Sequence, residues 1–225
     1  MDALPQAPAS RELQVEKLVL GPLSNNVYIL SDVQSRSAAI IDPSFEPEKL
    51  VTFLRAKRLA PSQIWITHAH FDHTAGAAAL SRAYLPRLPI GVHPDSFAWA
   101  SSQPAGATWG LASEPLPRMD MPLRQRQLLS LETDGAQPVA EVRAAPGHCP
   151  GSVIFYVAQL QIAFVGDVIF RESIGRTDLP GGSLATLLES IRTQIFSLPD
   201  ETKLLPGHGP ESSVGFEKKH NPYLA

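Results

Sequence analysis

The amino-acid sequence predicts a single α/β domain. Short apolar runs typical of buried strands alternate with segments whose apolar residues recur at helical spacing. The chain has 225 residues, of which 44% are hydrophobic, so it can bury one sizeable core. No internal repeat or low-complexity linker divides it. We therefore expect residues 1–225 to form one domain.

Strands are predicted where apolar or alternating runs are bounded by Gly, Pro, Ser or Asn. These runs are 13–20, 26–31, 38–42, 63–67, 89–93, 127–131, 139–144, 153–157, 161–165 and 203–205. Helices are predicted where apolar residues recur every three or four positions, at 46–58, 74–84 and 183–197. The segment 95–122 is rich in Pro, Ser and Ala and is predicted to be a long loop. Its residues Phe97, Trp99, Trp109 and Met119 either roof a pocket or cover the domain surface.

The composition limits the partners of the protein. The formal net charge is -3 and 18% of the residues are charged, which gives no basic surplus for binding nucleic acid or an anionic membrane. No run is long enough to span a bilayer, and the first residues lack the features of a signal peptide. Cys149 is the only cysteine, which fits a reducing compartment. We expect a cytoplasmic protein that acts on a small molecule; the sequence does not predict its oligomeric state.

Four side chains of the types that bind metal ions lie within six residues, after the apolar run 63–67 and before the helix predicted at 74–84. They are His68, His70, Asp72 and His73. Extended backbone puts His68 and His70 on the same side, and the turn into the helix can bring Asp72 and His73 back toward them. Imidazoles and carboxylates are ligands that zinc, iron and manganese accept, and the cluster contains no Cys. The pattern predicts an open metal site rather than a closed structural zinc site.

Three further ligand types lie beside Gly at predicted strand ends: His148, Asp167 and His208. Loops at strand ends gather at one edge of a sheet, so we expect these side chains to join the first four in one site. Other polar residues are weaker candidates. His93 stands alone and is interpreted as a surface or turn histidine. Asp42 either supports the histidine cluster or is an ordinary turn residue, and Cys149 is interpreted as structural.

The motif His68-x-His70-x-Asp72-His73, followed in order by His148, Asp167 and His208, resembles the metallo-β-lactamase fold superfamily. The segments GPLSNNVYIL, PGHCPGS, GDVIFRESIGRTDLPGGS and LLPGHGP resemble the short, single-domain branch of the glyoxalase II-type hydrolases. The resemblance covers nearly the whole chain. It implies a four-layer αβ/βα sandwich with the active site at one edge, between two sheets.

The resemblance also implies a site for two divalent metal ions, with zinc expected and iron or manganese as alternatives. His68, His70 and His148 would hold the first ion, Asp72, His73 and His208 the second, and Asp167 would bridge them. The ions would activate a water at neutral pH and polarise the carbonyl of a thioester such as S-acylglutathione. Asp72 and Asp167 are therefore the expected catalytic carboxylates. Arg176 either contacts a glutathione carboxylate or pairs internally with Asp178.

Two-domain glyoxalase II enzymes continue into a helical domain that supplies much of the glutathione pocket. Here only residues 209–225 follow His208, so strict glutathione specificity is in doubt. A mononuclear-iron persulfide dioxygenase is the main alternative, but the Pro206-Gly207-His208-Gly209-Pro210 segment favours the hydrolases. Further alternatives are a β-lactamase, a lactonase or other ester hydrolase, which the GRTDLPGG segment disfavours, and a non-catalytic relative. All seven ligand positions hold a His or an Asp, which argues against a non-catalytic relative.

Overall fold

The computed structural model describes residues 11–102, 110–111, 113–132 and 137–224. Trp109 was predicted either to roof a pocket or to cover the domain surface, and it lies outside the described residues. Within the described part of the chain, no helix is both long enough and apolar enough to cross a membrane.

Strands and short helices alternate along the chain. The strands are β1 (Leu13–Leu20), β2 (Asn25–Asp32), β3 (Ser37–Ile41), β4 (Ala60–Trp65), β5 (Ile90–Val92), β6 (Met121–Pro122), β7 (Leu128–Ser130), β8 (Pro138–Ala144), β9 (Val153–Val157), β10 (Ile162–Gly166), β11 (Ile169–Phe170), β12 (Ser173–Ile174), β13 (Lys203–Pro206) and β14 (Ser212–Ser213). The helices are α1 (Pro47–Ala56), α2 (Phe71–Thr74), α3 (Ala77–Arg82), α4 (Pro94–Ser101), α5 (Leu184–Ser190) and α6 (Val214–His220). A 3-10 turn covers Ala158–Leu160, and a π-helical turn, Ile191–Ile195, extends α5.

Two six-stranded sheets form the framework. The first has the order β1-β2-β3-β4-β5-β6, antiparallel from β1 to β3 and parallel from β3 to β6. The second has the order β14-β13-β10-β9-β8-β7 and is antiparallel except for the β10–β13 pair. A separate hairpin pairs β11 with β12. The parallel pairs explain why several strands end at the same edge of the molecule.

Side chains alternate across both sheets and form three hydrophobic clusters. In β2, Tyr28 and Leu30 point between the sheets, whereas Val27 and Ile29 point to the opposite face. That outer face is covered by apolar residues of α1 and α3. The outer face of the second sheet is covered by α5, the π-helical turn and the start of α6. Two sheets with helices on both outer faces confirm the predicted four-layer αβ/βα sandwich.

The predicted loop 95–122 differs from the structure. It contains α4, which begins at Pro94 after the cap His93, whose ring accepts a hydrogen bond from Asp95 N. It also ends in the edge strand β6. The helix predicted at 74–84 is split, because α2 is a single turn that begins at Phe71 and α3 begins only at Ala77. Asp72 and His73 therefore lie inside a helical turn rather than before one.

The core between the sheets supports a quantitative prediction. The rings of Phe155 and Trp65, one from each sheet, have centroids 5.4 Å apart, and both side chains are fully buried. Phe155→Ala should lower the free energy of unfolding by about 3–5 kcal/mol, because it removes buried apolar surface and leaves a cavity. Phe155→Leu should lower the free energy of unfolding by clearly less. Denaturant unfolding monitored by circular dichroism measures both, and a loss below about 1 kcal/mol for the alanine variant would contradict this packing.

Candidate metal centre

The predicted ligands come from the ends of strands in both sheets. His68 and His70 follow β4, and Asp72 and His73 follow them in α2. His148 lies between β8 and β9, Asp167 follows β10, and His208 follows β13. Backbone hydrogen bonds join the two sheets beside the site, from Val153 N to Thr67 O and from Asn26 N to Gly207 O. The structure therefore brings all seven predicted ligands to one edge of the sandwich.

His68, His70 and His148 form a first group. Each offers one ring nitrogen, and these nitrogens all lie within 4.8 Å of one another. His148 Nε2 is 2.8 Å from His70 Nδ1. This is the set that the family resemblance assigned to the first ion.

Asp72, His73 and His208 form a second group, whose ligand atoms also lie within 4.8 Å of one another. His208 Nε2 is 3.3 Å from His73 Nε2 and 3.2 Å from Asp72 Oδ2. The composition of this group is that expected for the second ion.

The Asp167 carboxylate lies between the two groups. Its Oδ1 atom is 3.4 Å from His73 Nε2, and its Oδ2 atom is 3.7 Å from His208 Nε2 and 3.8 Å from His148 Nε2. The carboxylate is thus within reach of members of both groups, as a bridging ligand requires.

Hydrogen bonds orient four of the five imidazoles. In each case Nδ1 contacts an oxygen: Thr67 Oγ1 at 3.0 Å for His68, Asp42 Oδ2 at 3.0 Å for His73, Arg176 O at 2.8 Å for His148, and Leu23 O at 3.0 Å for His208. An Nδ1–H that donates to oxygen leaves the Nε2 lone pair free for a metal ion. This ring orientation suits metal binding.

Asp42 supports the histidine cluster, which resolves the two interpretations of this residue. Its Oδ1 atom accepts from Thr67 N at 2.7 Å, and Oδ2 accepts from Thr67 Oγ1 at 2.5 Å. Asp42, His68 and His73 also lie close enough together to hold an ion. Because Thr67 and His73 already occupy both Asp42 oxygens, we interpret Asp42 as a residue that orients ligands.

Asn25 and Asn26 are site residues that the sequence reasoning missed. Asn25 Nδ2 donates to Asp72 Oδ2 at 2.8 Å. Asn26 Nδ2 donates to the carbonyls of Pro206 and Gly209, each at 2.9 Å, and so fixes the loop that carries His208. The GPLSNNVYIL segment contains both residues, but a local pattern gives no sign of partners so distant in sequence.

Burial keeps part of the cluster uncharged. Burial, with the neighbouring His148, lowers the pKa of His70 to about 3, and it lowers the pKa of His68 well below its ordinary value. Burial also opposes the charged form of His73, but the carboxylates of Asp167 and Asp72 outweigh it and raise the pKa of His73. Neutral imidazoles are the form that binds metal ions.

The donor set fits divalent cations. Three of its buried atoms have no hydrogen-bond partner among the described residues: His68 Nε2, His70 Nε2 and Asp167 Oδ1. Buried polar atoms are rarely left unpaired, and here all three belong to ligand-type side chains in one cluster. Gly207 keeps the centre open, because a Cβ atom there would lie 2.4 Å from Asp167 Oδ1 and from His73 Cε1. We conclude that the cluster is able to bind metal ions.

Cys149 and His93 lie outside the two ligand groups. Cys149 is fully buried, its Sγ atom is 3.3 Å from Ser152 Oγ, and burial raises the pKa of its thiol to about 12. A buried, protonated thiol is a poor nucleophile. His93 caps α4 through the hydrogen bond described above, so its role here is structural.

A cavity of about 810 Å³ opens over the metal centre. Its walls include Leu23, Phe71, Phe97, Trp99, Leu116 and Leu179, and Arg176 is the only Arg or Lys among its described lining residues. The Trp99 ring lies edge-on to His70 at 5.0 Å, and its Nε1 donates to Pro180 O at 3.0 Å. Phe97 and Met119 also pack on the hydrophobic cluster outside the first sheet. Trp99 and Phe97 thus line the pocket, whereas Met119 covers the core.

Arg176 forms the internal ion pair that was one of its two predicted roles. Its Nε and Nη2 atoms each donate to the Asp178 carboxylate at 2.7 Å, which lowers the pKa of Asp178 to about 2. Both side chains are exposed, so the pair adds little stability. Arg176 also lines the pocket.

Fold and site together define a metal-dependent hydrolase of the metallo-β-lactamase type. The family model described as the metallo-beta-lactamase superfamily matches residues 20–208, and the chain belongs to this family. The probable metallo-hydrolase YqgX of Bacillus subtilis is 34% identical over 215 residues, covering 92% of this chain and 96% of the relative. The hydroxyacylglutathione hydrolase GloC of Haemophilus influenzae is 32% identical over 216 residues, covering 94% and 98%.

Solved structures agree with this assignment. The B3 metallo-beta-lactamase BLEG-1 is 35% identical with a TM-score of 0.85, covering 94% of this chain and 100% of its own. TTHA1623, crystallised in a di-iron-bound form, is 37% identical with a TM-score of 0.83, covering 93% and 100%. ETHE1 from Myxococcus xanthus is 24% identical with a TM-score of 0.73, covering 93% and 83%, and this likeness concerns the fold alone.

The hydrogen bonds of Asp42 generate a prediction about metal affinity. Asp42→Asn should weaken metal binding about 10–100-fold, because an amide has one acceptor oxygen and cannot replace the two carboxylate oxygens that accept from Thr67 N, Thr67 Oγ1 and His73 Nδ1. The backbone φ of 51° at this position is one that Asn tolerates, so the variant should fold. Chelator competition measures the affinity, with Asp200→Asn, in an exposed pair with Lys218, as the matched control. Wild-type affinity in Asp42→Asn would contradict the orienting role.

Proposed function

We propose that the protein hydrolyses thioesters, with S-acylglutathione as the substrate class, using two divalent metal ions. The observation that carries the proposal is the Asp167 carboxylate, which reaches both ligand groups at the base of a pocket of about 810 Å³. The relative GloC is named a hydroxyacylglutathione hydrolase, and it aligns over nearly its full length. The motif segments that resemble the glyoxalase II-type hydrolases favour the same substrate class.

Each ligand group would hold one ion, with Asp167 shared between them. We propose zinc, with iron or manganese as alternatives, because nitrogen and carboxylate ligands suit all three. When bound, such ions supply a hydroxide at neutral pH and stabilise negative charge on a carbonyl oxygen. TTHA1623, a relative with a di-iron form, supports the inclusion of iron among the candidates.

The chain's own residues would position this chemistry. Asn25 holds Asp72 in place through its 2.8 Å hydrogen bond, and Arg176 O and Leu23 O fix the rings of His148 and His208. Trp99 packs against His70 and lines the pocket beside the centre. A side-chain nucleophile is not required, and Cys149 is buried away from such a role.

A β-lactamase activity is the second candidate, because BLEG-1 is 35% identical over its whole chain. Against it stands the segment 175–182, GRTDLPGG, which resembles the glyoxalase II-type hydrolases. A persulfide dioxygenase is supported less, because ETHE1 shares the fold at 24% identity and the segment around His208 has the hydrolase pattern.

Thioester hydrolysis can be tested directly. The metal-loaded protein should release free thiol from S-acetylglutathione without oxygen uptake, and elemental analysis should give two ions per chain. Asp167→Ala should nearly abolish turnover, because it removes the carboxylate shared by both groups. Cys149→Ala should stay active.

The measurements are thiol release and, with an oxygen electrode, oxygen uptake. A β-lactam and glutathione persulfide are the competing substrates. Faster β-lactam turnover would support the second candidate. Oxygen uptake on the persulfide that exceeds thioester turnover would move the protein to the dioxygenases. An inactive Cys149→Ala beside an active Asp167→Ala would indicate thiol catalysis instead.

Arg176 allows a test of glutathione recognition. Loss of a charge-assisted hydrogen bond of roughly 1.5–3 kcal/mol in Arg176→Ala should reduce kcat/KM about ten- to hundredfold for S-acylglutathione, mainly through KM. The kcat/KM for simple thioesters that lack the glutathione carboxylate should hardly change.

Asp178→Ala is the matched control for this experiment. It breaks the same ion pair but keeps the guanidinium in the pocket, so it should retain or improve activity on S-acylglutathione. Equal losses in both variants on both substrate classes, with lowered melting temperatures, would instead mean that the pair braces the loop.

A further inference from the structure

An apolar wall lies on one side of the metal centre, beside the second ligand group. It is formed by Leu23, in the turn between β1 and β2, and by Phe71, the residue before the ligand Asp72. Leu23 is 42% exposed although it lines the pocket. A single exposed leucine is ordinary in a folded protein, so exposure alone does not indicate a function. The contacts of the turn that carries Leu23 are more informative.

The turn that carries Leu23 is fixed at several points. Leu23 O contacts His208 Nδ1 at 3.0 Å, and Ser24 N donates to Gly21 O at 3.1 Å. Gly21 N donates to Glu46 Oε2, also at 3.1 Å. Gly21 has a φ of +75°, and a Cβ atom there would lie 3.0 Å from the Phe45 ring. The exposed Leu23 side chain is therefore presented from a rigid support.

Phe45 also supports the other half of the wall. Its ring packs edge-on against the Phe71 ring, with centroids 6.2 Å apart and an interplanar angle of 77°. Phe45 therefore lies against both Phe71 and Gly21, two residues before Leu23, and Leu23 and Phe71 line the same pocket. A rigid apolar surface beside a reactive centre binds an apolar group with little loss of conformational entropy.

The side of the centre that carries the first ligand group holds a cation. There Arg176 O contacts His148, and Arg176 and Trp99 line the pocket. A thioester whose carbonyl lies at the metal centre has two arms, one acyl and one thiol. If the charged thiol arm lies toward Arg176, the acyl arm extends along Leu23 and Phe71.

We propose that the Leu23–Phe71 wall is the acyl subsite and that it selects unsubstituted apolar acyl groups over 2-hydroxyacyl groups. This inference rests on the proposed thioesterase function. Of the polar side chains beside the wall, Thr74 Oγ1 donates to His70 O at 3.2 Å and Asn25 Nδ2 donates to Asp72, whereas Asn25 Oδ1, which has no partner among the described residues, is buried out of reach of a substrate. A substrate hydroxyl on the wall would lose hydrogen bonds to water without replacement.

Binding of S-alkylglutathione thioethers, which cannot be hydrolysed, tests the subsite independently of turnover. In the metal-loaded wild type, titration calorimetry with the series from S-methylglutathione to S-hexylglutathione should show the Kd falling about threefold for each added methylene. Leu23→Ser should flatten this dependence, and Leu23→Met should restore most of it. Leu128→Ser, which changes an exposed leucine of β7 outside the pocket lining, is the matched control and should keep the wild-type slope. A flat series in the wild type, or a wild-type slope in Leu23→Ser, would overturn the proposal.

Kinetics then separates this inference from the function on which it rests. S-butanoylglutathione should give a higher kcat/KM than S-(2-hydroxybutanoyl)glutathione in the wild type, and Leu23→Ser should narrow the difference. Preference for the hydroxyacyl substrate would overturn the subsite while leaving thioester hydrolysis established. If the wild type hydrolyses neither these thioesters nor S-acetylglutathione, the proposed function fails and the acyl subsite fails with it.

Discussion

The site depends on hydrogen bonds that turn one nitrogen of an imidazole toward the protein and leave the other facing the centre. Thr67 Oγ1 donates to Asp42, so it accepts from His68 Nδ1, and Asp42 also accepts from His73. One buried carboxylate therefore orients a ring of each ligand group. Without such bonds, each ring could rotate about its side-chain torsions, and the buried nitrogens would face the protein interior unpaired. The orientation of the ligands is thus part of the fold.

Each ligand group also requires the two sheets to keep their separation, because it combines residues that follow strands of both. His68 and His73 follow strand β4 of the first sheet, whereas Asp167 and His208 follow strands of the second. Tyr28, in the first sheet, packs its ring 5.3 Å from that of Phe164 in the second, and its hydroxyl donates to Pro206 O at 2.9 Å. The same side chain therefore belongs both to the core and to the support of the His208 loop. Packing between the sheets and the spacing of the ligands are coupled.

The sequence was informative where the relevant spacing is local. The His68 to His73 motif could be interpreted directly, and strand ends beside glycines identified His148, Asp167 and His208. Helix α4 was missed because among its residues only Ser96 is buried, so it has no apolar stripe to detect. Asn25 was missed because its partner Asp72 is 47 residues away, a contact that only the fold determines. The role of Asp42 stayed open before the structure for the same reason.

The pocket walls are joined to the metal ligands through main-chain atoms. Arg176 and Leu23 both line the pocket, and each orients a ligand, His148 or His208, through its carbonyl oxygen. Substituting either side chain leaves that carbonyl in place, because it belongs to the backbone. Substrate preference can therefore change at these two positions while the ligand geometry is kept. This separation allows one metal centre to serve different substrates, since the specificity of a fold of this kind resides in the loops around a fixed site.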